Sequence, residues 1–173
     1  MYITSQILEV IALLITLIAY QLKTKKQIFK GMCIANIFDI THYLFLNAYS
    51  GFATKVMALI RNIFIIEKEK NKKLNNILFL LIFVICYIIL GMYTFKNIYS
   101  ILPFMAAIIY MIVVWNGNEL QVKKIAFICY FIWLIYNICI HSIMAVIANI
   151  ISLILTYIAY YKRKKVEYEK HHI

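Results

Sequence analysis

The side chains in this sequence that could bind or transfer anything are buried in apolar stretches. Asn36 and His42 stand three residues either side of Asp39, a spacing that puts an amide, a carboxylate and an imidazole on one helical face. Strongly polar groups at bilayer depth cost ~2.5–3.5 kcal/mol and mark function by default. Two roles fit this stripe. It can be a solute- or proton-binding face, with His42 titrating near neutrality, or a set of interhelical hydrogen bonds that holds helices together. Arg61 is either a snorkelling side chain or the partner of Asp39 in an intramembrane ion pair, and the pair is our expectation because it neutralises two costly charges. Further on, Trp133, Tyr136 and Asn137 recur at helical spacing and face Asn149 and Ser152 of the next helix. Aromatic faces with an amide or two suit a small polar solute such as a sugar, although tyrosine and tryptophan also gather at membrane interfaces. Glu9 is expected at the outer interface, and His141 in a solvated outer turn. Cys33, Cys86, Cys129 and Cys139 have no paired spacing and read as small apolar fillers.

The elements that must position these residues follow from length and composition. Of 173 residues, 65% are hydrophobic and 14% charged, with one proline. Soluble domains run near half apolar and a quarter charged, so this chain needs lipid around it. A span takes ~20 apolar residues, with its backbone hydrogen bonds kept internal. Ile7 to Leu22 makes the first, stopped by KTKK. Residues 28–66 as one helix would measure ~58 Å, nearly twice the membrane. The stretch must fold back, and Asn47-Ala48-Tyr49-Ser50-Gly51 is the natural turn, giving helices over 28–48 and 51–66. EKEKNKK precedes a fourth helix over 74–95, and Lys96-Asn97 a fifth over 98–115. After NGNELQ, residues 122–161 are again overlong and divide near His141-Ser142. The expectation is an all-α membrane protein of seven transmembrane helices.

Charge tests that count. With the amino terminus outside and the carboxyl terminus inside, fifteen of eighteen Lys and Arg residues fall on inner loops or the tail, as the positive-inside rule requires. The exceptions are Lys55 and Lys96, placed outside, and Arg61. The net charge of +11 then reflects attraction to anionic inner-leaflet lipids; no nucleic-acid partner is expected. The first helix lacks a basic flank and a cleavage site, and is expected to be retained.

An odd helix between two groups of three suggests duplication. Residues 1–66 form a first triplet, 67–97 an inner loop and linking helix, 98–161 a second triplet, and 162–173 a basic tail ending in His171-His172-Ile173. Residues 56–64 echo 146–154 at a shift of 90, pairing Val56 with Val146 and Ala58 with Ala148. Because the fourth helix reverses direction, the triplets enter the membrane the same way, as parallel repeats.

THYLFLNAY (41–49), GFATKVMALIRNIF (51–64), SILPFM (100–105) and FIWLIYN (131–137) resemble segments of the YgjV family of bacterial inner-membrane proteins, grouped with the SWEET and PQ-loop transporters. The likeness runs from about Leu8 to Lys162. It implies a three-plus-one-plus-three bundle in the bacterial inner membrane with a solute path between the triplets, and it draws attention to Asn62, since SWEET-like sites use an asparagine on the third helix of each repeat. The chain departs from the pattern in two ways. Only Pro103, the expected kink of helix 5, stands where each repeat's proline belongs, and Tyr136 replaces a histidine before Asn137.

These readings favour a small-solute permease working by alternating access between the triplets. With no nucleotide loop or metal cage, no cofactor is expected and the driving force would be a gradient. One mid-membrane acid and one histidine fall short of the converging sets that membrane enzymes need, so an enzyme is not expected. The alternative is a non-transporting receptor, lipid-binding protein or assembly partner. A polar cavity of ~300 Å³ or more would favour transport, and a closed apolar interface the alternative.

Overall fold

A computed structural model describes residues 1–171, with the side chains of residue 72 and residues 163–171 left aside. Among the described residues there are seven α-helices: α1 (Tyr2–Gln21), α2 (Lys25–Phe45), α3 (Tyr49–Lys70), α4 (Ile77–Tyr93), α5 (Leu102–Asn116), α6 (Glu119–Cys139) and α7 (Ile143–His171). Five stretches are long and apolar enough to cross a membrane: α1, α3, α6, α7 through Lys162, and α5 with its 3-10 lead-in from Ile98. The remaining two have evident reasons for falling short. α2 matches its neighbours in length but carries Lys25, Lys26, Lys30 and the Asn36–Asp39–His42 stripe, while α4 is strongly apolar but only 17 residues long.

The expected seven helices are present, with shifted ends. α1 begins five residues earlier than the apolar run because Ser5 and Gln6 are buried against other helices; Gln6 Oε1 accepts the Met144 N–H at the start of α7. α3 continues four residues past the apolar segment, through a buried Lys68. The turn between α6 and α7 falls at His141, as read from the sequence, and His141 takes a left-handed φ of 56°. The α2–α3 turn comes slightly earlier than expected, at Leu46–Ala48, with Asn47 at φ 53°. Pro103 does not kink a helix. It occupies the first turn of α5, where its missing N–H has no intrahelical partner to lose.

Six helices close a ring: α1 packs on α2, α2 on α3, α3 on α5, α5 on α6, α6 on α7, and α7 back on α1. α4 stands outside it against α3 and α5. Only Phe83 and Tyr87 of α4 are buried; Leu80 and Leu90 pack beside them, and residues such as Leu81, Ile82, Ile85 and Ile89 make the exposed apolar face. Close approach in the ring depends on small residues; a side chain at Gly31 would meet the Ala19 Cβ at 2.6 Å.

One end of the ring is fastened through lysines. Lys25 Nζ donates to the Val114 carbonyl at 2.8 Å, and Lys68 Nζ to the Trp115 carbonyl and to Asn116 Oδ1. Both cations thus satisfy open carbonyls at the carboxyl end of α5, where the helix dipole favours positive charge. Beneath them Ile28, Phe29, Ile65, Val114 and Val122 form a tight apolar plug.

The two halves share local detail. Thr24 caps α2 by accepting the Gln27 N–H, and Asn118 caps α6 by accepting that of Gln121. After α2 the backbone bonds Leu46 to His42, Asn47 to Leu44 and Ala48 to Tyr43; after α6 it bonds Ile140 to Tyr136, His141 to Ile138 and Ser142 to Asn137. Each pair is separated by 94 positions. The local hydrogen bonding therefore favours a register of 94 over the 90 suggested by the Val56/Val146 echo. Short apolar strings match at many shifts, whereas caps and turns match at one.

Candidate functional site

A cavity lies at the centre of the ring, lined by residues from all six of its helices. Its volume is about 100 Å³. The space exists because every ring helix presents an alanine to it: Ala12, Ala35, Ala58, Ala107, Ala126 and Ala148.

Asp39 is buried in the wall, and its partner is Lys55, with Nζ 2.6 Å from Oδ2. The expected pairing with Arg61 is not formed. The α2–α3 hairpin turns about Asn47, so Asp39 and Lys55, each eight residues from it, lie at the same depth, while Arg61 lies about 9 Å further along α3, level with Cys33. Lys55 is correspondingly a cavity residue, not a group of the outer surface; its ammonium also sits 4.8 Å from the Trp133 ring centre. Counting outward from the turn would have found it.

Arg61 is 4% exposed and does not snorkel. Its Nε and Nη2 donate to Asn62 Oδ1 at 3.2 and 2.9 Å, and its guanidinium stacks 4.7 Å from the centre of the Tyr110 ring. No carboxylate of the described residues lies within ion-pair distance of it.

Glu9 is buried in the cavity wall, not interfacial. Because α1 starts at Tyr2, Glu9 is seven residues in, about 10 Å from the helix end. Its Oε2 lies 3.6 Å from His42 Nε2 and makes no hydrogen bond among the described residues. The Asn36 and Asn149 amide nitrogens, both in the wall, are also without partners there.

Of the residues singled out in the sequence, Asn36, Asp39, Arg61, Trp133, Asn149 and Ser152 reach the cavity. His42, Asn62, Tyr136 and Asn137 do not line it. His42 is fully buried in a bridge between helices: Nδ1 is 2.8 Å from the Ser5 carbonyl and Nε2 is 3.2 Å from Ser142 Oγ. A carbonyl only accepts, so the neutral ring donates from Nδ1 and accepts the Ser142 hydroxyl at Nε2. Tyr136 joins the same seal. Its hydroxyl accepts the Gly51 N–H at 3.0 Å and lies 2.9 Å from Ser50 Oγ. Tyr43 donates to Asn137 Oδ1 at 3.0 Å. These bonds join α2, α3, α6, α1 and α7 at the end of the ring opposite the lysine fastening.

The offset of 94 organises the cavity too. All ten lining residues from the second half have a lining counterpart 94 positions earlier: among them Ala106 answers Ala12, Trp133 answers Asp39, Asn149 answers Lys55 and Ser152 answers Ala58. The shape is shared between halves, but the charge is not. Glu9, Asp39, Lys55 and Arg61 all belong to the first half, and Pro103, Trp133, Asn149 and Leu155 stand at their counterpart positions.

Residues 3–167 match the model of the family Imp-YgjV, described as a bacterial inner membrane protein. No curated protein and no solved structure matches the chain.

Proposed function

Since the chain belongs to the YgjV family of bacterial inner membrane proteins, and carries several helices apolar enough for a multi-pass protein, we propose that it is a small-solute permease of that membrane. It works by alternating access between two parallel triplets, α1–α3 and α5–α7, with the amino terminus outside. The observation that carries this reading is the central cavity, whose polar wall is supplied by both triplets.

The ring contacts support the two-triplet arrangement. Exchanging α1 with α5, α2 with α6 and α3 with α7 turns the α3–α5 contact into the α7–α1 contact and leaves the set unchanged. The matched turns and matched lining residues at 94 point the same way, which is the pattern of parallel repeats about an axis along the membrane normal. The two ends of the ring are fastened by different means. The Tyr43–Asn137 and Tyr136–Ser50 bonds seal one end and the apolar plug with its lysine fastening the other, so each can part while the other holds. The distribution of lysines supports assigning the lysine-fastened end to the cytoplasm.

Four ionisable side chains in one central wall suit a polar solute better than a lipid tail, which argues against a lipid-binding protein on this fold. At about 100 Å³ the cavity falls short of the ~300 Å³ expected above of a transport pathway, and under the transport reading the solute is a compact one. Reconstitution tests the reading: proteoliposomes should exchange a solute found by binding across the membrane, and replacing Ala106 with leucine should stop exchange. Binding without any exchange would favour the receptor reading.

A further inference from the structure

We infer that the solute is a compact monocarboxylate, its carboxylate held at Arg61 and its short apolar tail against the wall at that depth. This rests on the solute-carrying reading and names the substrate class of the same cavity.

The first observation is a positive charge that nothing nearby balances. Four acidic or basic side chains line the cavity: Glu9, Asp39, Lys55 and Arg61. Asp39 and Lys55 pair at 2.6 Å, and Glu9 stands 3.6 Å from His42. Arg61 is 4% exposed and has no carboxylate of the described residues within ion-pair distance. Its charge reaches Cys33, Tyr87, Tyr110 and Cys129, which are thiols and phenols, not carboxylates. Glu9 is too far off to serve it. His42 is five residues from Asn47 and Arg61 fourteen, so the Glu9–His42 pair lies about 13 Å nearer the turn. An arginine keeps its charge in a protein, and an unbalanced charge at bilayer depth is costly. A solute of one negative charge answers it; a neutral or cationic solute does not.

The second observation is the kind of donor presented. A guanidinium has five N–H groups in a fixed plane. Asn62 Oδ1 accepts one from Nε and one from Nη2, and the Tyr110 ring covers one face at 4.7 Å. The group is thus held in place with three N–H groups beyond the Asn62 contact, and a planar fork suits the two oxygens of a carboxylate. Asn36 adds a second donor. Its Nδ2 has no partner among the described residues, and it lines the same cavity. Eleven residues from Asn47, it lies about 4.5 Å nearer the turn than Arg61.

The third observation is the space around that corner. Met32, its counterpart Ala126, and Cys129 line the neighbouring wall, which suits a short alkyl tail. The volume of about 100 Å³ has room for roughly seven to ten water-sized molecules, and so for a solute of few heavy atoms.

The test is equilibrium binding to the purified full chain in nanodiscs, in chloride-free buffer. The probes are propanoate, its uncharged isostere propanamide, propylamine and chloride. Propanoate should bind at least about tenfold more tightly than any other probe. In Arg61→Gln the preference for propanoate over propanamide should shrink to about twofold or less. Arg61→Lys keeps the charge but loses the fork, and should show a preference smaller than the wild type's; it carries the test should Arg61→Gln fail to fold. If propanamide or propylamine binds as tightly as propanoate, or if both variants keep the wild-type preference, the assignment is overturned and the solute cavity stands. If chloride binds as tightly, the site takes anions in general and the carboxylate is overturned. If none of the four binds, the assignment is overturned, and the permease reading is decided separately by whether another solute is exchanged and Ala106→Leu stops it.

Discussion

Tyr43 and Asn137 stand 94 positions apart and are hydrogen-bonded to each other, Tyr43 Oη donating to Asn137 Oδ1 at 3.0 Å. At the offset of 94 that matches the caps, turns and cavity lining, the two residues are counterparts. This bond is therefore a direct link between the halves at one end of the cavity. Interhelical hydrogen bonds in membranes are worth ~0.6 kcal/mol on average and up to ~1.7. Tyr43→Phe and Asn137→Leu should each destabilise the protein by about that amount, and thermal unfolding of the double variant should show that the two losses do not add.

Asp39 and Lys55 form the buried ion pair. Removing one partner strands the other, at a cost of ~3–5 kcal/mol. Asp39→Asn or Lys55→Met should therefore lower the melting temperature sharply, and the double variant should recover most of it. Exchanging Asp39 with Lys55 should keep a folded protein, whereas exchanging Asp39 with Arg61 should not. Rescue by the Arg61 exchange alone would reverse the assignment.

The contrast between Lys55 and Arg61 marks what the sequence made legible. Composition and length alone set the number of helices, because hydrocarbon thickness is a hard limit on apolar run length. The position of the polar stripe on α2 was also readable from its spacing. Partner choice was not read correctly, because it depends on depth relative to the turn, and Lys55, near the start of a helix over 51–66, was placed on the outer side. Glu9 was misplaced for a related reason: the helix begins at Tyr2, and its first turns hold Ser5 and Gln6, whose burial includes a Gln6 contact with α7 that no local pattern reveals. Arg61 drew attention as a charge in an apolar run, but its stacking on Tyr110 joins residues 49 positions apart.

Bulk added at the cavity wall takes the solute's space. Ala12→Leu and Ala106→Leu should abolish solute binding at the ~1–3 kcal/mol that overpacking a core costs, since each alanine is 1% exposed, and both should do so alike because they are counterparts. Unfolding curves and binding isotherms on the same preparations check this.

Lys68 should matter for closing the other end. It donates to the Trp115 carbonyl and lies 3.8 Å from the centre of that residue's ring. Lys68→Met keeps most of the apolar stem but loses the cap on α5. The expected result is faster hydrogen exchange in residues 113–116 with little change around Tyr43 and Asn137, measured by mass spectrometry.

Alternating access at the central cavity is tested most directly by labelling one wall position from each side. In a protein with Cys33, Cys86, Cys129 and Cys139 replaced by alanine, Ala58→Cys places a single thiol in the wall, one turn from Lys55. A membrane-impermeant thiol reagent should modify it when applied to inside-out vesicles and, separately, to spheroplasts, and a bound solute should slow both reactions. Modification from one side only, whatever the conditions, would contradict alternating access.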